Sequence, residues 1–584
     1  MKLIRLKIND PKGFRSLQSG FEIFFLGEWD FDKADEFNPY ILTGPNGSGK
    51  SNILEALAAI FYHIECVYLN YKPENFEYTD TNSKGFKAEK SAPDAFELEY
   101  FIPVPGSFSP DPLKDLARVK IIKEIKAEPR VFWKNRQAFD QKGNVLLSRT
   151  EVKDFLPTYI LGYSSGDNEI LSLPFFKMRF IHYDEYKDFL IKDEYYSLSP
   201  EGRMVFLDRE LSEAIVLSNF LIPENDRFNP FEQEPGIVRI KSFQMIIKDY
   251  IDVKTESDLN QIAVGDEEKQ ILQVELTRLL NKSISKTAFS SGFASEFQDE
   301  IPGLISRFKH CATAQFYDDE TESLYLDFWV NDETKTAFQF HFQTAIDLFK
   351  AFQLLFTLNL YPASENSKKQ LYQSSSLHVK DTIPVLTSDE RIIRINDFML
   401  KKSNVKLPVN IRSLSDGEHQ FLHTMGLCLL YRNENCLFLL DEPETHFNPE
   451  WRARFISWLR KAFENGNFDT LRETLITTHT PFLVSDSKKE YVLMFTNDPE
   501  KNQVTVSRPE FNTLGASINK ITMEAFGKTQ TIGGYAEQKL NELKQRFEQG
   551  EDGNQIIYET NKLLGDSVEK LVSINKILAG MEKE

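Results

Sequence analysis

The chain is 584 residues long, 41% hydrophobic and 27% charged. That length exceeds one ordinary core, so roughly two to four domains of a soluble globular protein are expected. It holds no apolar run of about 18 residues, and its start, MKLIRLKIND, reads as a strand without an apolar leader; neither a membrane span nor secretion is expected, and a cytoplasmic location is. The net charge of -19 excludes a surface that is basic throughout but leaves room for a local basic stripe.

In chain order, the first strong signal is YILTGPNGSGKSNILEALAAI at 40–60. A short apolar strand leads into Gly44-Pro45-Asn46-Gly47-Ser48-Gly49-Lys50-Ser51; Asn52 follows, and then a helical pattern with Ile53, Leu54, Leu57 and Ile60 on one face. This is G-x-x-x-x-G-K-[ST] in its strand–loop–helix setting. Gly44, Gly47 and Gly49 let backbone N–H groups turn toward phosphate without a Cβ clash, and the helix N-terminus adds partial positive charge. Lys50 is placed to reach the β- and γ-phosphates of a nucleotide, and Ser51 to offer its hydroxyl to Mg2+.

Residues 93–340 read as a globular α/β insertion. Prolines from Pro103 to Pro235 recur too often for long heptad helices. Strands are expected at 94–102, 118–126, 129–135 and 143–148, helices at 204–220 and 265–281, and a hairpin at 322–342, with a helix from Ala345 to Leu360 returning to the main body. Two segments stand out. RVKIIKEIKAEPRVFWKNR (118–136) offers a basic, aromatic-bearing stripe that can meet nucleic-acid phosphates; its alternative is an ordinary solvated hairpin face. YILGYSSGDNE (159–169) has a strand–loop–helix shape whose polar loop suits a lid or a further Mg2+ contact.

Downstream, Ser413-Leu-Ser-Asp-Gly-Glu-His-Gln420 opens a helix. Ser415 with Glu418 makes a capping box, and the same capped, Gly417-bearing end can present a hydroxyl and N–H groups to a γ-phosphate. NCLFLLDEPETHFNPE (435–450) is a buried-strand pattern that delivers Asp441 and Glu442 at its C-terminal end. Asp441 suits the Mg2+ shell, and Glu442 suits a general base for attacking water. LITTHTPFL then ends a strand in His479, a candidate sensor of the γ-phosphate or water.

GPNGSGKS, LSDGE, LFLLDEPETHFNP and ITTHTP, in that order, resemble the Walker A, signature, Walker B plus D-loop and switch-histidine motifs of ABC-class ATPases. The sequence is similar to the SMC, RecF and OLD branch, and within it to the anti-phage ATPases of Septu and Septu-type retron systems and those associated with restriction loci. The resemblance implies an α/β P-loop head binding ATP and Mg2+. It implies a homodimer in which Ser415, Gly417 and Glu418 act in trans on the nucleotide held by the partner subunit, with His446, Asn448 and Pro449 of the D-loop at the seam. Arg15, in DPKGFRSLQ, matches the branch's nucleotide-facing arginine. Asp416 replaces the usual second signature glycine, and no residue matches the Q-loop glutamine.

The expected organisation is an N-terminal lobe of the head (1–92), the insertion (93–340), a C-terminal lobe of the head (341–530) and a helical region (531–584). Within that last region, stripes from Ala536 to Phe547 and from Ile557 to Leu578 predict a helical hairpin broken at 550–554. Residues 480–584 hold no Asp-x-Asp and no His-Asn-His spacing, so no nuclease centre is expected there. The functional expectation is an ATPase subunit of a bacterial defence complex controlling a separate nuclease, of HNH type. The alternatives are a RecF-like repair ATPase that binds DNA directly and a scaffold that binds ATP without turning it over.

Overall fold

The computed structural model describes residues 1–25, 37–80, 82–108, 115–141, 143–166, 168–192, 202–223, 229–248, 301–321, 323–360, 363, 365–373, 386–464, 470–498, 500, 503–527 and 532–581. Three sheets organise them. The central one has seven strands: β3 (Tyr40–Thr43), β7 (Tyr159–Ser164), β8 (Met204–Phe206), β14 (Cys436–Asp441), β15 (Glu473–Thr478), β16 (Val492–Asp498) and β17 (Gln503–Ser507). Their order is β17-β16-β3-β15-β14-β7-β8, and every pair is parallel except β16 with β17.

The apolar run of β14 explains this sheet. Leu437 and Leu439 enter one core with the helix Lys50–Tyr68, while Phe438 and Leu440 enter the other with the helix Asp416–Leu430. A strand buried on both faces needs apolar residues at every position, which is why no alternation appears. Because the strands are parallel, their C-terminal ends share one edge of the sheet. The register Thr43↔Thr478, Asp441↔Thr477 and Asp441↔Ser164 sets those ends level with one another.

Two antiparallel sheets flank it. One runs β2 (Glu22–Phe24), β1 (Lys2–Ile8), β4 (Phe96–Pro103), β5 (Leu116–Lys123), β6 (Arg130–Trp133); the other runs β10 (Ala314–Asp318), β11 (Ser323–Trp329), β9 (Ile237–Lys248), β12 (Ile393–Lys402), β13 (Val409–Asn410). Residues 93–340 contribute strands to all three sheets, so they do not form one separate layer. Among the described residues no long coiled coil is present, and no helix is long and apolar enough to cross a membrane.

Local expectations need correcting where one signal hid another. Residues 143–148 form no strand; only an isolated bridge joins Phe132 to Leu146. The alternation TAFQFHF suggested the second arm of a hairpin, yet Asp332–Phe342 is a helix. Asn331 caps it by accepting from Thr334 N, Phe338 and Phe342 pack inward one turn apart, and Phe340 is exposed. The expected 204–220 helix begins as β8, and the helix proper is Arg209–Leu221, with Asp208 Oδ1 accepting from Leu211 N at 3.1 Å. The helix at 265–281 lies outside the described residues.

The C-terminal region is helical, but the second stripe is divided into Gly553–Leu563 and Val568–Met581, following Gly534–Glu548. Leu543, Ile556 and Ile577 bury together, whereas Leu571 and Leu578 of the expected stripe face solvent.

Leu439→Ala should therefore destabilise the fold by about 2–5 kcal/mol, while Leu571→Ala should change it by less than about 0.5 kcal/mol. Thermal or denaturant unfolding of the two variants checks both.

Candidate functional site

The loop after β3 is shaped by its glycines. Gly44, Gly47 and Gly49 all take positive φ, and a Cβ on Gly44 would lie 2.2 Å from the Phe495 carbonyl oxygen. Pro45, Asn46 and Gly47 are exposed, while Ser48, Gly49 and Lys50 are buried. The Lys50 ammonium folds back under the loop, donating to the carbonyls of Gly44 (3.1 Å) and Pro45 (2.9 Å). Burial pushes its pKa down to about 8, against the opposing pull of Glu442 and Asp441. The turn before the loop docks on the same helix: Ser16 Oγ donates to Asn52 Oδ1 at 2.6 Å. Arg15 beside it is exposed, its guanidinium 5.7 Å from the centre of the Phe14 ring.

Asp441 gathers the strand ends. Its Oδ1 accepts from Ser51 Oγ (2.8 Å) and Thr477 Oγ1 (2.7 Å), and its Oδ2 from Asn168 Nδ2 (2.7 Å). Ser164 Oγ stands 3.4 Å from the same Oδ2. Ser51 and Asp441 thus place a hydroxyl and a carboxylate oxygen side by side, the hard-oxygen chemistry that Mg2+ takes beside a phosphate. Among the described residues no cluster of three or more His, Cys, Asp or Glu side chains is built to hold a metal alone, so this pair suits an ion that also uses nucleotide and water ligands.

Glu442 follows at φ 50°, an uncommon conformation for a non-glycine residue, held by its N–H donating to Thr477 Oγ1 at 3.0 Å. Its Oε1 lies 3.0 Å from His479 Nε2, and both side chains are about one-third exposed. The hydrogen bond from His479 holds the Glu442 carboxyl below the usual range against desolvation, with Thr445 and Lys50 assisting. An ionised carboxylate at a solvent-reachable edge beside an imidazole can accept a proton from water. Two residues on, Glu444 is fully buried; burial pushes its pKa up to about 7 although it accepts from Thr478 Oγ1.

The helix Asp416–Leu430 begins in the expected capping box: Ser415 Oγ accepts from Glu418 N, and Glu418 accepts from Ser415 N at 2.9 Å. Ser415 and Asp416 are exposed, and Lys402 pairs with Glu418. A Cβ on Gly417 would sit 2.8 Å from the His446 carbonyl, so the helix end and the loop after Glu442 lie in close contact. Gln420 ties them, donating to the Glu442 carbonyl (3.3 Å) and accepting from His446 N (2.7 Å). His446, Asn448 and Pro449 are exposed.

Most of the basic stripe at 118–136 is answered by carboxylates, with Lys126 and Lys134 exposed beside it. Lys120 lies 2.8 Å from Glu97 and 3.0 Å from Glu99, Arg118 reaches Glu99 at 2.9 Å, and the buried Lys123 pairs with Asp94 at 2.9 Å. Trp133 is fully buried and cannot stack on a base. The solvated-face alternative fits this geometry better.

The motifs pointed to Lys50, Ser51, Asp441, Glu442 and His479, which the structure brings together. They missed Thr477, Gln420, Glu444 and the direct contact of Asn168 with Asp441, although 159–169 had been singled out for its loop chemistry. All four cysteines are buried and unbridged.

A family model described as "AAA domain, putative AbiEii toxin, Type IV TA system" matches residues 40–485. The chain is also similar to an SMC head bound to the C-winged helix domain of ScpA, at 12% identity over 87% of this chain and 98% of that one with a TM-score of 0.32. For the SMC head domain from Thermotoga maritima the values are 11%, 88%, 100% and 0.30.

Binding of a phosphate-bearing nucleotide should weaken as pH rises through about 8, because the Lys50 ammonium, depressed from its ordinary value, loses its charge there. The limit is about ten-fold per pH unit. Affinity measured by calorimetry from pH 6.5 to 9.5 checks this, with Lys50→Ala losing both binding and the pH slope.

Proposed function

The chain belongs to this AAA-domain family, and from that premise we propose that it is the ATP-hydrolysing subunit of a bacterial defence complex, a nucleotide-gated homodimer that controls a separate nuclease. The observation that carries the reading is the 3.0 Å Glu442–His479 pair, set by strand register level with the Lys50 loop.

In this reading Gly44–Ser51 cradles the triphosphate with backbone N–H groups, and Lys50 neutralises charge on the β- and γ-phosphates. Ser51 and Asp441 would hold Mg2+, which screens phosphate charge when bound, and Asn168 steadies the Asp441 carboxylate. Glu442, kept ionised by His479, takes a proton from the attacking water; His479 orients that carboxylate and senses the γ-phosphate. Arg15, flanking the loop, would add charge on the nucleotide side.

The exposed, capped end at Ser415, with Gly417 and Glu418, would close in trans over the partner subunit's nucleotide. The exposed His446, Asn448 and Pro449 support a seam at that face. Closure would then follow ATP binding, and reopening would follow hydrolysis, a cycle suited to restraining and releasing a nuclease. The family's toxin–antitoxin description supports a defence setting. The resemblance to Septu-type ATPases, with no long coiled coil among the described residues, favours a separate HNH-type nuclease as that partner. Direct DNA repair fits less well, because Arg118 and Lys120 already face Glu97 and Glu99.

Glu442→Gln should retain ATP binding, lose about 10²–10⁴-fold in phosphate release, and accumulate as an ATP-bound dimer by size-exclusion chromatography. Unchanged phosphate release would favour the scaffold reading and overturn this one.

A further inference from the structure

A cavity of about 660 Å³ lies beside Gln420, away from the phosphate loop. Its size is that of a small-molecule pocket. Cationic and imidazole groups from four separate stretches of chain line it: Arg391 and Arg394 at the start of β12, Arg412, His419 and His423 on the helix Asp416–Leu430, and His446 after the Glu442 turn. His419 and His423 stand one helical turn apart with ring centres separated by 5.8 Å.

Two carboxylates also line the cavity, and both are accounted for. Glu213 lies 4.0 Å from Arg412, and Asp416 sits in the first turn of its helix, where the helix dipole favours negative charge. Arg394 uses Nη1 on the Ser388 carbonyl and on Asp389 (2.7 Å), but its Nε is buried and has no hydrogen-bond partner among the described residues. That Nε has no accessible surface and is closed to a ligand, so Arg394 would meet one in the cavity only through its Nη groups. Guanidinium forks and imidazole N–H donors converging from several directions suit a compact, multiply charged anion better than an extended polymer.

We propose that this cavity binds a small phosphorylated ligand, separate from the nucleotide held at Gly44–Ser51, and that its occupancy is relayed to the Glu442 turn. Gln420 and His446 both line the cavity, and Gln420 bonds the His446 N–H and the Glu442 carbonyl together. A ligand that draws His446 or the helix toward itself therefore shifts the backbone carrying Glu442. The binding claim stands alone; the relay rests on the ATPase reading above.

The test uses AMP and inorganic pyrophosphate as probes on the full-length Lys50→Ala chain, whose phosphate loop is disabled. Calorimetry should show saturable binding, weakened about ten-fold by adding Arg394→Gln and several-fold by Arg412→Gln, a substitution at a side chain that is 67% exposed. No saturable binding of either probe, or binding indifferent to both substitutions, overturns the site. In the otherwise native chain AMP should change the rate of ATP turnover, and Gln420→Leu should keep AMP binding while losing that rate change. AMP binding without a rate change, or a rate change that survives Gln420→Leu, overturns the relay. A native chain with no ATP turnover at all would instead remove the ATPase reading, and with it the relay, while calorimetry still decides the site.

Discussion

Asp441 is a buried carboxylate at the end of β14, and burying a charge away from water is costly unless donors surround it. Here Ser51, Thr477 and Asn168 supply them, from the loop helix, from β15 and from the turn after β7. Each donor comes from a different stretch of chain, so satisfying one side chain fixes three strand ends against each other. The rest of the edge follows from that. Thr477 serves twice, since its hydroxyl also receives the Glu442 N–H and so holds the strained turn that aims Glu442 at His479. Asp441 is therefore both the metal-side oxygen of the proposed site and the joint that makes the site a single object.

A second carboxylate arrangement separates roles along the same turn. Glu442 sits at the edge with His479 and is held ionised, whereas Glu444 lies inside the protein, where burial pushes its pKa up to about 7. Two glutamates two residues apart thus have their carboxyls shifted in opposite directions, because one faces solvent and an imidazole and the other faces the core. Only the first is placed to take a proton from water. The second braces the segment through Thr478, whose hydroxyl in turn receives the Thr480 N–H at 3.0 Å beside His479.

The head was legible because its chemistry is local. A glycine loop ending in Lys50-Ser51, or an apolar strand ending in Asp441-Glu442, carries its geometry within about ten residues, and parallel strands bring such ends to one edge. What the sequence hid was non-local. Asn168 meets Asp441 across 273 positions, and nothing in YSSGDNE alone says which carboxylate it serves. The basic look of 118–136 misled because the answering acids, Glu97 and Glu99, lie on the neighbouring strand β4. TAFQFHF misled for another reason: alternating phenylalanines satisfy a strand pattern, while the capping Asn331 two residues past the end of β11 starts a helix whose inward positions are Phe338 and Phe342. A cap was the stronger signal there, and periodicity over seven residues the weaker.

The central claim is that each nucleotide is held by the loop of one subunit and completed by the Ser415 helix end of the other. Mixing two inactive variants addresses it directly: Lys50→Ala, with a disabled loop and an intact helix end, and Ser415→Arg, the reverse. In a mixed dimer the Ser415→Arg loop meets the intact helix end of the Lys50→Ala chain, so one complete site is rebuilt. The account predicts that ATP turnover, absent from either variant alone, returns on mixing and peaks near equal proportions. A mixture as inactive as its components, with mixed dimers present by mass measurement, would contradict it.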